Sequence, residues 1–130
     1  MRNLLFHILA GSSLCLLLVL VTRADDKPEL DLPKIMEKKL ALANEALAGV
    51  VTRDFDKISR NADQMLKLAK TEWVQKDSPE YREQLKDFWI VVDGLKTAAD
   101  EKNGDGATIA YVQMTLSCVK CHKYLRNTEK

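Results

Sequence analysis

Residues 78–99 read SPEYREQLKDFWIVVDGLKTAA. Ser78 is a helix-capping residue type whose hydroxyl can accept a free first-turn N–H. Pro79 follows at the first helical position, where its missing N–H costs nothing. Tyr81, Leu85, Phe88, Val92, Leu95 and Ala99 then recur at three- and four-residue steps, which puts them on one face of a helix. A helix with a single apolar face must bury it against another element. The flanking sequence supplies the partners.

Upstream, Asp31 reads as the cap of a helix running to about Val51, with Pro33 in its first turn. Its apolar face is read as Leu32, Met36, Leu40, Ala43, Leu47 and Val50. A second helix is expected from about Asp54 to Gln75, with Phe55, Ile58, Ala62, Met65, Ala69 and Trp73 on one face. Trp73 and Trp89 are expected as packing residues, and the scattered Glu and Lys as a solvated face. Downstream, Asn103-Gly104-Asp105-Gly106 reads as a turn. The fourth helix after it places Thr108, Tyr111, Thr115, Cys118, His122 and Leu125 on one face. No stretch alternates in the manner of a strand. Four amphipathic helices joined by short turns predict an all-α protein, an antiparallel up-down four-helix bundle.

The fourth helix carries the chemistry. Cys118-Val119-Lys120-Cys121-His122 is a C-x-x-C-H motif, the attachment signature of a c-type haem. Two thiols one turn apart can each add to a haem vinyl group, and the following imidazole can turn under the iron. A disulfide framework would spread its cysteines along the chain. A structural zinc site needs four ligands, and no second Cys/His pair exists to complete one. A thioredoxin-like pair would want a βαβ context. A face of Thr, Cys and His is a poor hydrocarbon stripe, but it suits a helix that faces a haem enclosed by the bundle.

The N-terminus agrees with export. Arg2 precedes an apolar run from Leu4 to Val21, and Thr22-Arg23-Ala24 offers small residues at the two positions a signal peptidase reads. Residues 1–24 are read as a signal peptide and residues 25–130 as one domain. Cys15 and His7 leave with the signal, so the motif holds the remaining Cys and His. The other reading is an uncleaved anchor, since eighteen apolar residues approach the lower limit for a membrane span. Without Arg2 and Arg23 the chain has 18 basic residues against 19 acidic. That near-neutral balance gives no reason to expect nucleic acid as a partner.

A four-helix chain with C-x-x-C-H on its last helix resembles the class II c-type cytochromes, the cytochrome c-prime superfamily. The resemblance spans about Leu30 to Arg126. Arg126 matches the basic residue that often follows the family's motif, and Leu125 stands where an aromatic is common. The resemblance implies one covalently attached haem c, His122 as proximal iron ligand, and a pairing of Arg126 with a haem propionate. Its low-spin branch takes a sixth ligand from a first-helix methionine. Here that residue is Met36, in Leu32-Pro33-Lys34-Ile35-Met36-Glu37-Lys38-Lys39-Leu40. Met65 is read as core filling, and Met114 shares a helix with His122. The implied role is that of a periplasmic electron carrier, not an enzyme, serving redox partner proteins and able to form a homodimer. The alternative is a five-coordinate member that binds nitric oxide or carbon monoxide.

Overall fold

The computed structural model describes residues 31–128. It contains four helices and, among the described residues, no strand: α1 Leu32–Thr52, α2 Phe55–Gln75, α3 Pro79–Asp100 and α4 Gly104–Thr128. The read signal peptide, the first residues of the domain and the last two residues lie outside the described residues. No described helix is long and apolar enough to cross a membrane.

Local chemistry sets the helix ends. The Asp31 carboxylate accepts from Lys34 N–H at 3.1 Å, and Asp54 accepts from Lys57 N–H at 2.9 Å. Ser78 accepts from Tyr81 N–H at 3.3 Å. Each satisfies one first-turn donor that the helix itself cannot pair. The α1–α2 corner turns on Arg53, which is left-handed (φ 56°) and donates its N–H to the last turn of α1. Glycine usually takes this position. The third corner departs from the sequence reading. Gly104, Asp105 and Gly106 are the first turn of α4, because the Asn103 side chain accepts from Gly106 N–H at 2.9 Å and so caps it. The chain reverses instead through Glu101 and Lys102, the latter left-handed at φ 55°.

The α3 face is buried as predicted, from Tyr81 to Ala99. The other three faces need correction. In α1 Leu32, Ala43 and Val50 of the expected face pack half-buried against the core, but the most buried positions are Ile35, Ala46 and Gly49, with Lys39 and Leu42 half-buried in step with them, and Leu40 (64 % exposed) and Leu47 are largely exposed. In α2 the stripe ends on Glu72, and Trp73 turns outward beneath the Arg82 guanidinium, 5.7 Å from its ring. In α4 the buried residues are Ala107, Ala110, Met114 and Ser117, with Thr108, Thr115 and His122 exposed. The three departures share a cause in part. A stripe at 3-4-3-4 spacing is inward even when it carries Lys39, Glu72 or only small residues, and those types lack the hydropathy that marks a face.

Each helix packs on its neighbour in sequence, and α1 also touches α4, the slightest of these contacts. Ile58, Met65, Leu95, Val92 and Met114 fill the centre and are almost fully buried. The α1–α2 approach is close at Gly49: a Cβ there would lie 2.8 Å from Ile58 Cγ1 and 3.1 Å from the Asp54 carbonyl. Gly49→Ala should therefore lower the denaturant midpoint. Overpacking of about 1–3 kcal/mol outweighs the roughly 1 kcal/mol that alanine gains in helix propensity. A midpoint equal to wild type would mean that the contact has slack.

Candidate functional site

One apolar cavity of about 320 Å³ lies among all four helices, a size in the range of small-molecule and cofactor sites. From α1 it is lined by Met36, Glu37, Lys39, Leu40 and Ala43, and from α2 by Met65 and Glu72. Gln84, Leu85 and Phe88 face it from α3, and Met114, Ser117, Cys118, Cys121 and His122 from α4.

The residues of the motif thus share a single cavity with Met36, which comes from a helix at the other end of the fold's sequence. α4 supplies the local reason. Cys118, Cys121 and His122 span little more than one turn, so all three reach one side of the helix. Both thiols are free and half-buried. Burial pushes both above the ordinary thiol value, and the Lys39 ammonium pulls both partly back. His122 is exposed and forms part of the cavity's rim. Among the described residues no three His, Cys, Asp or Glu side chains cluster in a way that could hold a metal ion.

Met36 is half-buried on the cavity wall. Met65 and Met114, both about 1 % exposed, also border the cavity while belonging to the core. Arg126 is exposed and does not line the cavity.

Sequence reading passed over the cavity's charged pair. Glu72 is fully buried; its Oε2 accepts from the Tyr81 hydroxyl at 2.7 Å, and its Oε1 faces the Lys39 ammonium as an ion pair. Lys39 Nζ also sits 4.5 Å from the centre of the Phe88 ring. The Tyr81 phenol is held well above its ordinary range, first by burial and then by its bond to Glu72. Gln84 Oε1 and Ser117 Oγ are buried on the same cavity and lack a hydrogen-bond partner among the described residues. The available signal was the spacing: Lys39 falls in step with Ile35 and Leu42, and Glu72 with Met65 and Ala69.

Comparison with family profiles, curated proteins and solved structures finds no match for this chain.

Proposed function

We propose that this protein is an exported mono-haem c-type cytochrome that carries electrons by outer-sphere transfer. The observation that carries the reading is the shared cavity: both cysteines and the histidine of C-x-x-C-H face the same apolar space as a first-helix methionine. The residues fit the group. The sulfurs of Cys118 and Cys121 would hold its vinyl edge as thioethers. His122 would supply the proximal nitrogen and Met36 the distal sulfur.

The fold around such a group is proposed as an antiparallel up-down bundle. Two contacts between α2 and α3 support it: Ser59 meets Asp100 at 2.6 Å, while Glu72 meets Tyr81. Early residues of α2 thus face late residues of α3, and late face early.

Bound haem would supply an iron that alternates between ferrous and ferric. Leu85, Phe88 and Met65 give the cavity an apolar wall, and apolar surroundings leave less solvent to reorganise when the charge changes. A thioether at Met36 would favour the reduced state of such an iron and raise its potential. A row of exposed apolar side chains on α4, Ile109, Val112, Leu116 and Val119, runs up to the motif and offers a redox partner protein an apolar landing beside it. Periplasmic location follows from this reading, since covalent haem attachment takes place outside the cytoplasm in bacteria. An uncleaved N-terminal anchor would place the same domain at the membrane surface.

Optical spectra of the exported protein, oxidised and reduced, test the proposal. Haem that stays with the chain in acid–acetone, with a low-spin ferric spectrum, supports it. Protein exported with its maturation machinery yet colourless would sink it. The five-coordinate gas-binding alternative would show a high-spin ferric spectrum.

Folding should depend on the cofactor as well. The cavity separates α1 from α4, whose direct contact is slight, and an empty apolar cavity forfeits packing. The apo-protein should unfold at a lower temperature and over a broader range than the holo-protein, as a loosened bundle. Calorimetry giving coincident, equally sharp transitions would contradict this.

A further inference from the structure

Lys39 and Glu72 occupy stripe positions that elsewhere on α1 and α2 hold apolar or small residues. Stability alone does not explain them. Removing two charges from water costs several kcal/mol per ion, and apolar replacements of a buried pair are often neutral or stabilising. The pair sits on the cavity wall, and Lys39 is the only permanently cationic side chain among the described residues that line it. Its ammonium is held on two sides, by Glu72 and by the Phe88 ring, and the Tyr81 hydroxyl in turn holds Glu72.

We infer that Lys39 raises the reduction potential of the haem proposed for this cavity, and that Glu72 and Tyr81 are positioning residues that hold its ammonium at the wall. The inference rests on the cytochrome reading. An electron arriving in the cavity adds negative charge, and a fixed positive charge in a low-dielectric setting favours that state. Glu72 acts with the opposite sign, so the contribution assigned to Lys39 is the one read with Glu72 neutralised.

The test is potentiometry on the holo-protein at one pH and ionic strength. Lys39→Met should lower the potential, and Glu72→Gln should raise it. Lys39→Met can fail to fold, because it leaves Glu72 buried and unpaired. The decisive comparison is then Glu72→Gln against the double variant Lys39→Met/Glu72→Gln, in which no buried charge is orphaned. The double variant should have the lower potential, with an unchanged low-spin spectrum. Equal potentials in that pair, with thermal stability as the only difference, would reduce Lys39 to a structural residue and overturn the inference. Wild-type protein without haem would instead defeat the functional reading on which it rests.

Discussion

A Cys118→Ala/Cys121→Ala variant, exported alongside the normal maturation machinery, should carry no haem that survives acid–acetone extraction. Mass spectrometry of the denatured chain should give the polypeptide mass alone, where wild type should show the polypeptide plus one haem. The expectation is all-or-none because Cys118 and Cys121 are the only cysteines after Val21, and both face the cavity. Each single variant should keep one thioether. Cys118→Ala should still hold haem covalently through Cys121, with a lower thermal midpoint than wild type. The double variant separates attachment from ligation, since His122 and Met36 remain and can bind haem as a dissociable group. Haem lost in acid–acetone yet present in the native protein would show the cavity acting without its covalent bonds. Haem that resists extraction in the double variant would refute the covalent assignment.

The capping residues Asp31 and Ser78 were legible in the sequence because capping is local: one side chain reaches one N–H three residues on. The α3 stripe was legible because its inward residues are also its bulky apolar ones. Hydropathy failed where bulk and burial part company. On α4 the large apolar residues Ile109, Val112, Leu116 and Val119 point outward, while Ala107, Ala110 and Ser117 carry the packing. Small residues let helices approach closely but give little hydrophobic signal. On α1 and α2 two of the lost residues were charged, Lys39 and Glu72, and their burial depends on one another. Lys39 can be inward only because Glu72 lies opposite, and that pairing spans 33 positions of sequence. No local reading of either helix contains it.

The motif could be read without the packing around it. The motif carries its chemistry in five consecutive residues, so Cys118, Cys121 and His122 could be named without the fold. Met36 needed the fold, since only tertiary structure decides whether a residue 82 positions before Cys118 reaches the same cavity. Three methionines line that cavity, so lining it does not by itself select the distal ligand. Arg126 needed the fold too. The helical periodicity places it one turn beyond His122, but it is exposed and away from the cavity lining, whereas Lys39 is the cation that reaches it.

Met36→Ala should convert the ferric protein from low-spin to high-spin. The weak near-infrared band of a sulfur–iron bond should disappear, the reduction potential should fall, and carbon monoxide should bind rapidly to the reduced form. The potential falls because a soft sulfur favours the ferrous state, and the substitution removes that sulfur. The helix should persist, because alanine is the better helix former and Met36 lies outside the buried apolar core. A far-ultraviolet spectrum like that of wild type would assign the change to ligation and exclude unfolding. Met65→Ala is the necessary control. Met65 is about 1 % exposed, so its loss should cost about 2–5 kcal/mol of stability as a core truncation. If Met36 is the ligand, Met65→Ala should leave the near-infrared band in place. A band lost in Met65→Ala and kept in Met36→Ala would move the distal ligand from α1 to α2 while preserving electron transfer. A wild-type protein that is already high-spin, with a spectrum unmoved by either substitution, would leave an open iron behind an apolar wall. That outcome would put the nitric oxide or carbon monoxide binding reading ahead of electron transfer.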